Sequence, residues 1–180
     1  QMREADAYTI QELGVPSLVL MEHAASAVMD VLRDEQIDCS RPLIVCGAGN
    51  NGGDGLAIAR LLYLQGFTPE VWYLGNPDRC SEENKIQYTI VKNYGIPVRN
   101  TFPENEYSVI IDTIFGTGLK RTVEGRYRDA IAWMNNNHGK IVSVDIPSGI
   151  SDTTGQVLGI AVEANITVCL AYEKLGTALY

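Results

Sequence analysis

The sequence predicts an α/β fold: a three-layer αβα sandwich built on a mostly parallel central sheet. Three observations carry this expectation. Short apolar runs that suit strands alternate along the chain with longer stretches of helical spacing. The runs, such as Leu43 to Cys46, Val71 to Leu74 and Val109 to Ile111, are continuously apolar rather than alternating, as in strands covered on both faces. Several of them open directly into loops rich in Gly and Asp, the pattern of a doubly wound sheet whose ligands bind beyond the carboxyl ends of its strands.

Two helices come before any strand. Residues 2–13 have helical spacing and are stopped by Gly14. Pro16 suits the first position of a second helix, whose apolar face continues through Leu18, Met21, Ala25, Val28, Met29 and Leu32. The strand ending at Cys46 leads through a glycine-rich loop into a helix from about Gly53 to Gln65. Val71 to Leu74 form the next strand. Ser81 caps a helix that runs to about Tyr94, with Gly95 as its stop. Ile96 to Val98 make a short strand and Val109 to Ile111 a buried one. A loop over 112–122, a helix near 124–136, and strands at Ile141 to Val144 and Ile166 to Leu170 complete the series.

The chain has 180 residues, which suits a single domain over 1–180. With 46% hydrophobic and 20% charged residues it can close a core, which excludes intrinsic disorder. Its net charge of −8 argues against nucleic acid and against an anionic membrane surface as partners. No apolar run approaches the roughly 20 residues of a membrane-spanning helix. Cys39, Cys46, Cys80 and Cys169 are scattered, with no CxxC and no clustered His. They read as reduced thiols of a cytoplasmic protein. His23 falls on the second helix and reads as structural, and His138 as a helix-end residue.

Three loops draw attention, each after a buried strand and all expected at one edge of the sheet. The first, GAGNNGGDG at 47–55, contains a GxGxxG at Gly47, Gly49 and Gly52 that follows a strand and opens a helix. There, tight backbone and unpaired helical N–H groups can hold a phosphate. Asn50, Asn51 and Asp54 add polar side chains suited to hydroxyls, an amide or a cation. The second loop carries Gly116, Thr117 and Gly118, then the cations Lys120 and Arg121, with Asp112 at the strand end before it. The third, DIPSG at 145–149, offers Asp145 and Ser148. Oxygens of Asn51, Asp112 and Ser148 could converge on a hard cation, and one carboxylate suits a monovalent ion better than a transition metal. For each loop a structural turn without ligand is the competing explanation. An ordinary dinucleotide dehydrogenase is disfavoured. That fold wants an acidic residue at the end of the second strand, where this chain has Leu74-Gly75-Asn76, and Glu70 lies at the strand's start.

The segments ADAYTIQELGVPSLVLMEHAA (5–25), GAGNNGGDGLAIARLL (47–62), IIDTIFGTGL (110–119) and VDIPSGISDTTGQ (144–156) together resemble the NAD(P)H-hydrate epimerase family, nearly end to end. The resemblance implies a Rossmann-like domain that interconverts the R and S forms of NADH and NADPH hydrated at C6 of the nicotinamide ring. It implies a potassium ion held by Asn51, Asp112 and Ser148. Substrate contacts are implied at Asn50, Asn51, Gly52, Gly53 and Asp54, at Gly116, Thr117, Gly118, Leu119, Lys120, Arg121 and Thr122, and at Asp145. It further implies a homodimer packed through its N-terminal helices, and a functional pairing with a dehydratase that repairs the S form. The family often reads M-E-N-A-G where this chain has Met21-Glu22-His23-Ala24-Ala25, and its domain usually adds a further strand at the C-terminal edge. For the chemistry, the ring nitrogen can expel the C6 hydroxyl as water and water can return to the other face, assisted by a carboxyl group. Asp112 and Asp145 are the catalytic candidates, with Asp112 slightly preferred. The alternative function is a non-catalytic nucleotide-binding sensor or scaffold.

Overall fold

A computed structural model of the chain describes residues 9–170. Of the helix expected over 2–13, residues 9–11 are helical; residues 1–8, like the tail 171–180, lie outside the described residues. Helix α1 (Ser17–Asp34) starts behind Pro16 and buries Met21, Ala25, Val28, Met29 and Leu32. That spacing is one face of a 3.6-residue period.

Strand β1 (Pro42–Cys46) is buried throughout, and its proline sits at the first position, where a missing N–H costs least. Helix α2 (Asn50–Leu64) follows, then β2 (Glu70–Tyr73), a short 3₁₀ turn at Pro77–Arg79, and α3 (Glu82–Asn93). Ser81 caps α3, its hydroxyl accepting from the Asn84 N–H, and Gly95 ends it with φ +72°. Then come β3 (Val98–Arg99), β4 (Val109–Thr113), α4 (Gly125–Asn135), β5 (Lys140–Val144) and β6 (Ile166–Val168).

The six strands form one sheet in the order β3-β2-β1-β4-β5-β6. Every pairing is parallel, so the sheet expected to be mostly parallel is wholly so among the described residues. Alternate strand residues divide the core. Ile44, Cys46, Val71, Tyr73, Ile111 and Val142 meet α1, α2 and α3 on one face. Leu43, Val45, Trp72, Ile110 and Ile141 meet α4 and three coil segments on the other. Helix α2 lies between the sheet and α1 and is therefore apolar nearly all round, with Leu56, Ala57, Ile58, Ala59 and Leu62 wholly buried.

Segment 100–108 crosses the sheet from β3 to β4 without a helix. Phe102 tilts against Trp72 with ring centroids 5.0 Å apart, and the Tyr107 hydroxyl donates to Glu70 Oε2 at 2.8 Å. The Arg126 guanidinium on α4 donates to the carbonyl of Asn100. Glu70 thus belongs to the fold at the edge opposite the strand ends.

Of the boundaries that differ from expectation, two have a clear physical cause. The third strand begins at Val98 rather than Ile96, because Ile96 turns into the core and its N–H closes the end of α3 on Val91. Helix α2 begins at Asn50 rather than Gly53, so much of the expected loop is the first turn of a helix. Glycine is a poor helix former, but here packing overrides propensity. A Cβ on Gly52 would lie 2.0 Å from the Gly47 carbonyl oxygen, and one on Gly55 would lie 2.1 Å from Thr113 Oγ1. Only glycine lets α2 approach β4 so closely.

Candidate active site

The strand order reverses between β1 and β4, since the chain leaves β1 toward β2 on one side and returns at β4 on the other. At such a switch point the loops on either side diverge and leave a crevice at the strands' carboxyl ends. A cleft of about 1010 Å³ occupies that position. It is large enough for an extended ligand, at the upper end of the ~300–1,000 Å³ range for small-molecule sites.

All three sequence-identified loops reach this cleft. Asn50, Asn51 and Asp54 line it from the start of α2. Gly116, Thr117, Gly118, Leu119 and Arg121 line it from the loop after β4, and Asp145 lines it from the end of β5. The other candidates stand back from it. Gly52 and Gly53 are buried beneath the turn, packed against the Gly47 carbonyl and the Met21 side chain. Lys120 is exposed but does not line the cleft, and Thr122 packs beside Gly159.

The two strand-end aspartates occupy different environments. Asp112 is wholly buried and does not line the cleft. Its Oδ1 accepts from the Ser148 hydroxyl at 2.6 Å and from the Ile114 N–H at 3.3 Å. Its Oδ2 accepts from the Ser143 hydroxyl at 2.8 Å and the Ser148 N–H at 2.9 Å. Burial pushes its ionisation upward, and the hydrogen bonds from Ser148 oppose that shift. Asp145 adopts a left-handed backbone at φ +73°, which aspartate tolerates better than most residues. Its Oδ2 accepts from the Thr117 N–H at 3.2 Å, and a Cβ at Gly116 would lie 3.1 Å from that oxygen and 3.2 Å from Asn51 Cβ. Asp145, Asn51 and the Gly116 turn therefore meet at one wall of the cleft.

Ser148 joins the two loops: its hydroxyl accepts from the Phe115 N–H at 2.9 Å while donating to Asp112. The amide of Asn51 is buried, and neither its Oδ1 nor its Nδ2 has a partner among the described residues. The Asp112 carboxylate has only hydroxyl and amide partners, with no Lys, Arg or His among them. An unpartnered amide oxygen, an uncompensated buried carboxylate and a hydroxyl form an oxygen-only set, which fits a hard monovalent cation. Among the described residues no group of three His, Cys, Asp or Glu side chains clusters as a metal site.

The cleft also takes residues that the sequence reading assigned elsewhere or passed over. His23, read as structural from its place on the helix, is exposed and lines the cleft from α1. Its one signal was the departure from M-E-N-A-G at that position. Glu83, at the start of α3, lines the mouth and accepts from the Ser17 hydroxyl at 2.7 Å. Phe115 and Tyr127 face the cleft with ring centroids 4.9 Å apart. Phe115 stands in the stretch IIDTIFGTGL quoted above, whereas no motif marked Tyr127.

The fold and site define a class: a Rossmann-like α/β protein with an extended ligand cleft at its topological switch point. The model of the YjeF-related protein N-terminus family matches residues 17–176, and the chain belongs to that family. A protein of Limosilactobacillus reuteri (strain ATCC 55730 / SD2112), named NAD(P)H-hydrate epimerase, is 47% identical over 178 residues, covering 98% of this chain and 84% of its own. One of Weissella koreensis with the same name is 44% identical over 177 residues, covering 98% of this chain and 80% of its own. Among solved structures, the crystal structure of yeast ynu0, YNL200c, superposes with a TM-score of 0.85 at 25% identity. It covers 99% of this chain and 81% of the yeast chain.

Proposed function

We propose that this chain is an NAD(P)H-hydrate epimerase, an isomerase that interconverts the R and S forms of hydrated NADH and NADPH. The name shared by relatives 40–47% identical over at least 95% of the chain supports the reaction. The observation that carries the chemistry is the position of Asp145, the one strand-end aspartate that lines the cleft. We therefore assign the acid/base role to Asp145. Asp112, preferred on sequence alone, has no face on the cleft.

At the reacting carbon, the Asp145 carboxyl protonates the departing C6 hydroxyl, which leaves as water while the ring nitrogen lone pair forms a C6–N1 double bond. Water then adds to the opposite face of the planar centre and returns its proton to the Asp145 carboxylate. No atom is lost or gained overall. The Thr117 N–H donates to Asp145 Oδ2 and so orients the carboxyl at the cleft wall. The negative charge of the site favours the cationic intermediate. Potassium is the proposed cofactor, held by Asn51, Asp112 and Ser148. When bound it supplies a fixed positive charge that balances the buried Asp112 carboxylate. The proposal extends to a homodimer and to a role beside a dehydratase in nicotinamide nucleotide repair in the cytoplasm. Among the described residues, no helix is long and apolar enough to cross a membrane.

The test is incubation with R-NADH hydrate, following the S form by chiral-resolving chromatography against the spontaneous reaction. We expect acceleration by the wild type and a loss of roughly 100-fold or more in Asp145→Asn, the usual contribution of a general acid/base. A folded Asp145→Asn chain of full activity would refute the assignment. A wild type that binds NADP yet gives no acceleration would support a binding module instead.

A further inference from the structure

We propose that Asn84, on α3 and outside the cleft, is a positioning residue that aims the 47–49 turn at the substrate, and that Tyr73 orients Asn84 for this task. Three successive carbonyls of the turn are drawn toward the start of α3. Asn84 Nδ2 donates to the carbonyls of Gly47 at 3.0 Å and Gly49 at 2.8 Å. The carbonyl between them, of Ala48, accepts from the Ser81 N–H at 3.0 Å.

The sequence gives no hint of this arrangement, because Asn84 lies 35 residues beyond Gly49 and in no recognised motif. The side chain is wholly buried, and both donors of its amide nitrogen are committed to the turn. The Tyr73 hydroxyl donates to Asn84 Oδ1 at 2.7 Å. That bond decides which way the amide faces, since a flipped amide would set its oxygen against two carbonyl oxygens. Burial pushes the Tyr73 phenol's ionisation upward, so it stays a donor. The site is also sterically reserved: a Cβ on Gly52 would come within 2.9 Å of Asn84 Nδ2. On the opposite side the Gly47 N–H is held by the Thr113 carbonyl at 3.2 Å, so the turn is fixed from both flanks.

The consequence is electrostatic. Ala48, Gly49, Asn50 and Asn51 line the cleft. With the carbonyls that precede Ala48, Gly49 and Asn50 turned to α3, the negative ends of those three peptide dipoles point away from the site. The unpaired N–H end of α2 is left for the ligand. This suits the diphosphate of a nucleotide, and to that extent the inference rests on the proposed function.

The experiment compares wild type, Asn84→Asp and Tyr73→Phe by NADP affinity (calorimetry), by kcat and KM for epimerisation of R-NADPH hydrate, and by urea unfolding. Asn84→Asp keeps the shape but sets oxygen against the Gly47 and Gly49 carbonyls. We expect it to weaken NADP binding about 10- to 100-fold and to raise KM in parallel, with a smaller effect on kcat. Tyr73→Phe keeps both Asn84 donors and should weaken binding about 3- to 10-fold. Should Asn84→Asp fail to fold, Tyr73→Phe alone carries the test. Reduced urea stability with NADP affinity and KM unchanged in the folded variants would overturn the proposal, because Asn84 would then be scaffold only. If the variants lose NADP affinity in the expected order while the wild type epimerises nothing, the clasp stands and the epimerase reading fails.

Discussion

Asp112 and Asp145 sit at the ends of adjacent strands, two positions apart in the register, and that offset gives them different surroundings. Asp112 is the last residue but one of β4, still in the ladder, and its side chain turns into the layer beneath the loops. Asp145 is the first residue past β5, where a left-handed backbone swings it to the cleft wall. A sequence shows two carboxylates after two apolar runs. It does not show which residue ends the ladder. Tyr107 offers a second test at this scale. Burial and the Glu70 carboxylate push its phenol from its ordinary value up to about 12. A group whose folded pKa is raised contributes stability that is complete below its unfolded value, about 10, and is lost as pH rises through the folded one. The stability difference between wild type and Tyr107→Phe, measured by urea titration, should therefore be constant below about pH 10 and shrink toward pH 12. A difference that does not change with pH would show that the Glu70 bond does not govern this proton.

Among the elements, α2 departs furthest from its local preferences. The order of helices and strands was legible because each apolar run has a single period, and parallel strands covered on both faces leave a clear signature. The start of α2 was not legible, since glycines read as loop unless the surface pressed against them is known. Two alanine substitutions separate these roles. Gly55→Ala drives a methyl into Thr113 Oγ1 and Cys46 Sγ, and should destabilise the fold by about 1–3 kcal/mol, the usual cost of overpacking. Gly49→Ala meets nothing within 4 Å and has an ordinary φ of −85°, so its stability should stay within about 0.5 kcal/mol of wild type. Urea midpoints decide the matter; equal losses in both would mean that helix propensity, not close approach, explains the glycines. The candidate site was legible to the same extent as the elements. Motif residues after strands were found, whereas Glu83, Tyr127 and Asn84 were not, because helices outside the motifs bring them in.

At the scale of the whole molecule, the potassium assignment predicts a thermal shift. A cation that binds only the folded chain raises its stability by about 2.7 kcal/mol at a hundred times its Kd. For a chain of this size each kcal/mol moves Tm by about 2–4 °C. Scans in potassium chloride should therefore give a higher Tm than scans in tetramethylammonium chloride of equal ionic strength, and Asp112→Asn should erase the gain. Identical Tm values for the wild type in both salts would sink the assignment. The sheet order has one more consequence, for how the protein is made. β1 is the centre of the sheet, yet its partner β4 leaves the ribosome only after α2, β2, α3 and β3. The first half can build a three-stranded sheet with its helices while β1 still shows an unpaired edge. The cleft, which needs Gly49 and Asp145 together, comes into being only when the second half docks on that edge. Until then the nascent chain carries only one wall of the cleft, and its open central strand is the place where a wrong partner could add.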